Sequence, residues 1–277
     1  MRIERIEPTS RLEELKDQYL QQTTAPLDGM WLYGFVPIAE HYGFHAGEDL
    51  VGFCCVNAQG YLLQFFVSGP HRHRASQVFA SLLEGEGGPC GEIHGAFVST
   101  AEPQYLSLCL DQLPIFEVNA LMYERGHGPV GSTDEQGTGV PPMAALEESQ
   151  RATAVAFAVE TIGAHEDWLS EYYENLIGRG ELFGVWDGDR LIAIGENRGR
   201  EGYRSDCVDL GVIVAPSERG KGIATEVLRR LAAVNDERGS MSICSTERGN
   251  VAARKAIERA GFFAPNRILR FSVRQET

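Results

Sequence analysis

An order of elements that occurs twice constrains this chain more than any single motif. The segments "YLLQFFVSGPHRHRASQVFASLL" (61–83) and "VDLGVIVAPSERGKGIATEVLRRL" (208–231) follow one plan: an apolar run, a proline-containing turn with basic residues, then an amphipathic stretch. Their neighbours pair off in the same order. "GEDLVGFCCVN" matches "GDRLIAIGEN", "IHGAFVST" matches "SMSICST", and "FEVNALMY" matches "NRILRFS". Identities are few, but internal duplication is the economical account. The 277 residues suffice for two domains of ordinary size.

In the second copy, "ATAVAFAV" (152–159) reads as a strand. "AHEDWLSEYYENLIGRG" reads as a helix, with Trp168, Leu169, Tyr172, Tyr173, Leu176 and Ile177 at helical spacing. Asp187-Gly188 between two apolar runs signals a hairpin. A helix follows from about Gly222 to Val234, with Ile223, Val227, Leu228 and Leu231 on one stripe. A last short helix has Asn250 at its N-cap and Gly261 at its end, before a final strand. The first copy opens with the strand "RIERIEP" and a capping box of Ser10 with Glu13. The resulting order, β-α-β-β-β-α-β-α-β, predicts a mixed α/β (α+β) sheet with helices on its faces. Residues 126–148, rich in Gly, Pro, Ser and Thr without apolar period, read as a linker between lobes 1–125 and 149–277.

Composition narrows the function classes. A net charge of −14 argues against a general nucleic-acid binder. No apolar run approaches the ~18 residues of a membrane span, and the N-terminus carries no secretory signal. The six cysteines show no CxxC spacing, so they read as buried thiols of a cytoplasmic protein. The histidines form no ligand pattern, and no metal is expected.

The most informative stretch is "VIVAPSERGKGIA" (212–224), where a strand hands over to a helix. A helix start leaves about four N–H groups without partners and carries partial positive charge, which suits phosphate. Gly220 and Gly222 permit close backbone approach, and Arg219 and Lys221 add charge. The stretch is neither a Walker loop nor a full dinucleotide fingerprint. It resembles the acetyl-CoA-binding motif of the GCN5-related N-acetyltransferases, V-x-P-x-x-[QR]-G-x-G-x-[GA], at Val214, Pro216, Arg219, Gly220, Gly222 and Ala224. A second motif of that family is met by "NVAARKAIERAGF" at Asn250, Ala253, Gly261 and Phe262. The strong resemblance covers residues from about 150 to the end. The first lobe is similar in outline only, so the chain reads as two tandem acyl-CoA N-acyltransferase (GNAT-like) lobes, the first degenerate.

The resemblance implies acetyl-CoA as cosubstrate. The backbone from Arg219 through Gly220, Lys221, Gly222 and Ile223 to Ala224 would cradle the pyrophosphate. Val212, Ile213 and Val214 would lie where the strand leaves its neighbour, with free backbone groups for the pantetheine arm and thioester carbonyl. Asn250, with Ala253 at the same helix start, would contact the arm, and Lys221, Lys255 or Arg229 would reach the ribose phosphate. The family's usual tyrosine, acid to the leaving thiolate, is replaced by Ile257. Tyr203, Ser245, Thr246 and solvent are the alternatives. Direct transfer to an amine needs a base. The candidates are Asp209, three residues before Val212, and Glu196. Residues 160–202 would form the acceptor wall. Their ten acidic residues (160, 166, 167, 171, 174, 181, 187, 189, 196, 201) face four arginines (179, 190, 198, 200), suggesting either a solvated face or a small cationic or amino-acid-like amine as partner. The chain would act as a monomer, a pseudo-dimer of lobes, or as a homodimer. The competing reading is a non-catalytic acetyl-CoA sensor.

Counting back from the shared helix places His71 opposite Gly220 and His73 opposite Gly222, with Gln104 the nearest match to Asn250. One acetyl-CoA per chain is therefore expected, in the second lobe.

Overall fold

The computed structural model describes residues 1–84, 88–125, 139–163, 166–199 and 202–273, with only the backbone of Asp167. Residues 126–138 of the expected linker, and Arg200 and Glu201 of the expected acceptor wall, lie outside the described residues. The chain divides into two compact units: Met1–Met122 with Asn266–Thr277, and Tyr123–Pro265.

Unit 1 contains strands β1 (Arg2–Arg5), β2 (Glu40–Ala46), β3 (Asp49–Val56), β4 (Tyr61–Val67) and β5 (Gly95–Ser99), and the first part of β6 (Ile115–Glu124). Its helices are α1 (Ser10–Leu20), α2 (Ala75–Leu82) and α3 (Pro103–Gln112). The sheet runs in the order β1-β2-β3-β4-β5, and then takes in the C-terminal strand before β6. That strand pairs antiparallel with β5, from Ile268↔Ser99 to Ser272↔Gly95. Gly95 is required there, because a Cβ would collide with the Phe271 carbonyl. Leu269 and Phe271 enter the core formed by Phe44, Phe65, Phe79 and Tyr105. The cap of α1 is Thr9, one residue before the Ser10 expected, and its side chain accepts the Leu12 N–H at 3.1 Å.

Unit 2 contains β7 (Met143–Ala145), α4 (Arg151–Ile162), α5 (Glu166–Gly178), β8 (Leu182–Asp187), β9 (Arg190–Arg198), β10 (Cys207–Val214), α6 (Ile223–Glu237), β11 (Met241–Glu247) and α7 (Val251–Arg259). The last strand, β12 (Phe263–Ser272), leaves the unit after Pro265. The sheet order is β11-β10-β9-β8-β7, with the Arg125 N–H donating to Ser242 O beside β11.

Two sequence expectations are corrected in unit 2. Residues 152–159 form helix α4, not a strand, with Ala154, Val155 and Ala158 buried and Gly163 closing it at φ 70°. The run is rich in alanine, the best helix former, and its small buried side chains let α4 pack closely on Leu169 and Tyr173 of α5. The tail of the expected linker holds β7, which pairs with β8 from Met143↔Val185 to Ala145↔Phe183. The hairpin at Gly188 (φ 60°), the stripe of α6 and the Asn250 cap stand as the sequence indicates.

Candidate functional site

β10 is held on both sides only over its first half. It pairs in parallel with β11 at Cys207↔Met241, Val208↔Ser242 and Asp209↔Ile243, and no further. Its antiparallel pairing with β9 continues to Val214↔Ala193. Val212, Ile213 and Val214 therefore border a wedge where β10 has parted from β11, opposite the stretch of β11 that holds Ser245 and Thr246. Strand edges left unpaired in this way offer backbone groups to an extended ligand.

The turn beyond β10 is shaped by positive φ. Gly220 is at 81° and Gly222, the N-cap of α6, at 85°. A Cβ on either would meet nothing within 4 Å, so backbone conformation, not packing, demands glycine. Next along the chain, the first-turn N–H groups of Ile223 and Ala224 have no helical acceptor. Beside them Glu218 accepts from Lys221 at 2.8 Å and from Arg190 at 2.7 Å. Lys221 and Arg190 hold its carboxyl below the usual range. The Lys221 charge is thus shared with Glu218, while Lys255 is exposed. Arg229 donates to the Arg259 carbonyl at 2.7 Å.

On α7, the Asn250 side chain accepts the Ala253 N–H at 3.1 Å, so its oxygen serves the helix. Ile257, at the position of the missing tyrosine, is buried. Tyr203 lies in the turn that precedes β10, before the strand starts at Cys207. Ser245 and Thr246 are the two candidate substitutes that border the wedge.

The two candidate bases lie on one sheet face and share an arginine. Asp209 is opposite Arg198 and Glu196 opposite Gly211, where a Cβ would approach the Glu196 Oε2 to 3.0 Å. Arg198 donates to Glu196 at 2.7 Å and to Asp209 at 2.9 Å, and the Tyr172 hydroxyl donates to Glu196 at 2.8 Å. Asp209 is 1% exposed and Glu196 6%. Burial pulls the Arg198 pKa down, but Asp209 and Glu196 outweigh it and raise the guanidinium well above its usual value. Burial, then the Glu196 charge, raises the Tyr172 phenol. Trp168 stacks on Tyr172 at 4.9 Å and 12°, with about half of its own surface exposed. On the opposite face, Asn235 of α6 bonds Asn197 and Ser242 at 2.8 and 3.0 Å, fixing α6 to β9 and β11. Neither Arg198 nor this amide network stands out in the sequence. The one available signal for Arg198 was its place two residues after Glu196 on a strand.

Of the other acidic residues of 160–202, Glu174, Glu181 and Asp187 pair at the surface, with Arg151, Arg179 and Arg190, and Arg190 also reaches Glu218. All six cysteines are buried thiols. Among the described residues, no three His, Cys, Asp or Glu gather as a metal site. Among the described residues, no helix is long and apolar enough to cross a membrane.

Unit 1 repeats the parted strands. β4 pairs with β5 only at Tyr61↔Gly95 and Leu62↔Ala96, while β3 follows it to Val67. The turn differs: Gly69–Arg74 is a 3-10 helix in which no residue has positive φ. The counterpart of Asn250 is Glu102, the N-cap of α3, and not Gln104.

A strand pair that parts beside a helix start, built twice, defines a tandem acyltransferase fold. Comparison with known proteins agrees. Family profiles described as acetyltransferase (GNAT) domain match residues 9–126 and 139–263. A GNAT-family acetyltransferase of Colwellia psychrerythraea is 43% identical over 99% of this chain and 100% of its own, with a TM-score of 0.90. A GCN5-related N-acetyltransferase of Sphaerobacter thermophilus shares the fold at 12% identity and TM-score 0.63, covering 100% of this chain and 96% of its own. A tandem GNAT protein of the clavulanic acid pathway does so at 10% and 0.58, covering 100% and 99%. No curated protein matches. The chain belongs to the GNAT acetyltransferase family and is a tandem-GNAT N-acetyltransferase.

Proposed function

We propose that unit 2 transfers an acetyl group from acetyl-CoA to the primary amine of a small cationic or amino-acid-like molecule, and that unit 1 is a degenerate copy that does not bind acetyl-CoA. The observation that carries this reading is the open space over Gly220 and Gly222 at the start of α6, next to a strand whose pairing with β11 stops at Asp209. A side chain on either glycine would fill that space, and the residues present fit a pyrophosphate there. The backbone from Arg219 to Ala224 would hold it. Val212 and Val214 would offer strand-edge groups to the arm, and Asn250, Ala253 and Lys255 would stand at the neighbouring helix start. When bound, acetyl-CoA supplies an electrophilic thioester carbonyl.

The chain's own task is to strip a proton from the amine. Of the two carboxylates, Glu196 lies opposite Gly211, two residues nearer Val212 than Asp209, and is the more exposed. Glu196 acts as the base through water, with Tyr172 and Arg198 orienting it. Asp209, buried against Arg198, positions the guanidinium. Trp168 and Tyr172 offer an aromatic wall to a cationic acceptor.

The competing reading is an acetyl-CoA sensor, favoured by Ile257 in the core and by carboxylates already paired with Arg198. Thiol release is measured with acetyl-CoA and amino acids, polyamines, aminoglycosides or peptides. Amine-dependent release supports transfer; binding by calorimetry with no release for any amine supports the sensor.

A further inference from the structure

The parted strands of unit 1 enclose a chemistry of their own. Against the free end of β4 lies a pocket of about 470 Å³, bordered by Tyr19, Phe65, Phe66, Glu102 and Tyr105. That volume suits a small molecule. Phe65 and Tyr105 stack at 6.2 Å, and Tyr19 meets Phe66 edge-on at 6.3 Å. Glu102 is 4% exposed. One of its oxygens accepts the Ser99 N–H at 2.6 Å, and the other the Tyr19 hydroxyl. Among the described residues, no cation pairs with it. Burial without a counter-ion pushes its pKa up to about 7. A buried carboxylate normally has a positive partner, and aromatic faces attract cations.

We propose that this pocket binds a small primary ammonium compound with an apolar body, its ammonium on Glu102 and its body among Tyr19, Phe65, Phe66 and Tyr105. Each Glu102 oxygen retains a lone pair for an N–H donor. Arg72 and His73 border the pocket from exposed positions, so the far end of the ligand is neutral or anionic. The site lies wholly within unit 1 and does not depend on the acetyl-CoA turn of unit 2. At neutral pH, where about half of Glu102 is protonated, binding shifts it to the carboxylate and releases that proton to solvent. The titratable groups that interact with Glu102 are Tyr19 on α1 and Tyr105 and Cys109 on α3, and Arg72 and His73 border the same pocket. Tyr19, Tyr105 and Cys109 are pushed up by burial and stay neutral between pH 6 and 8.

Calorimetry on the full chain with phenethylamine, and with phenethyl alcohol as its uncharged counterpart, tests the proposal. At pH 8 the amine is expected to bind at least tenfold tighter than the alcohol. At pH 6 its affinity falls about tenfold, because the ionised fraction of Glu102 drops from about nine-tenths to about one-tenth. Glu102→Gln loses the preference for the amine and leaves acetyl-CoA affinity unchanged. His73→Ala keeps the pH dependence, which separates Glu102 from the neighbouring imidazole. Should Glu102→Gln fail to fold, Ser76→Trp, at an exposed position on the pocket wall, abolishes amine binding by filling the space. Equal affinity for amine and alcohol, binding of neither, or an amine preference that survives both substitutions overturns the proposal.

Discussion

At Gly222 the backbone sits at φ 85° in open space. Gly222→Glu sets a carboxylate where phosphate would lie and adds roughly 1–2 kcal/mol of backbone strain. It is expected to abolish acetyl-CoA binding by calorimetry while the protein stays folded by circular dichroism; unchanged affinity removes the cofactor assignment. Glu196→Gln should lower kcat by about 10²–10⁴ and flatten its pH dependence. Asp209→Asn should instead lower thermal stability, since it leaves the buried Arg198 half-paired, a change that costs on the order of 3–5 kcal/mol. A stable Asp209→Asn protein with a flattened pH profile would return the base to Asp209. Glu102 gives a stability test of opposite sign. Its pKa in the folded protein, about 7, lies above that of an unfolded glutamate. Its contribution is therefore fully present below about pH 4 and is lost as pH rises through 7. Relative to wild type, Glu102→Gln should gain melting temperature between pH 5 and 8.5, worth up to about 3 kcal/mol. The glycines and Asn250 were legible in the sequence because turn and cap chemistry is local. Arg198 was not, because its partners come from β10 and α5, and only the sheet register brings them together.

Among the elements, α4 separates pattern from packing. A run of alternating alanines satisfies a period of two as well as a helix, and the tie is broken by what packs on it. In the helix, Ala154 and Ala158 are buried and Ala156 is exposed, although in a strand all three would share a face. Ala158→Leu should therefore cost about 1–3 kcal/mol in chemical denaturation, and Ala156→Leu close to nothing. Equal losses at both positions would contradict the helical packing. The parting of β10 from β11 was expected from the family resemblance alone. Nothing in the residue types of Val212 to Val214 reveals which side of a strand lacks a partner. Helix α6, by contrast, was readable from its apolar stripe, which a four-residue repeat carries without help from distant chain.

For the whole molecule, duplication was legible because both halves keep their elements in one order. The destination of the C-terminal strand was not. A sheet edge accepts any strand of suitable alternation, so sequence order does not dictate which sheet receives the strand. The lobe boundaries read from composition are expected to fail as cloning boundaries: residues 1–125 alone lack the strand that carries Leu269 and the fully buried Phe271. That fragment should aggregate or remain unfolded by circular dichroism, and addition of a peptide spanning residues 263–277 should recover structure. A well-folded 1–125 fragment would contradict this. The same feature bears on biosynthesis. The first half of the chain emerges from the ribosome early, but its sheet waits for a strand that begins to join it only at Asn266, a delay on the order of ten to thirty seconds at roughly 5–20 residues per second. Through that interval an apolar strand edge is open to chaperones and to other nascent chains. A premature stop codon before residue 263 would therefore damage the half of the protein that was made first.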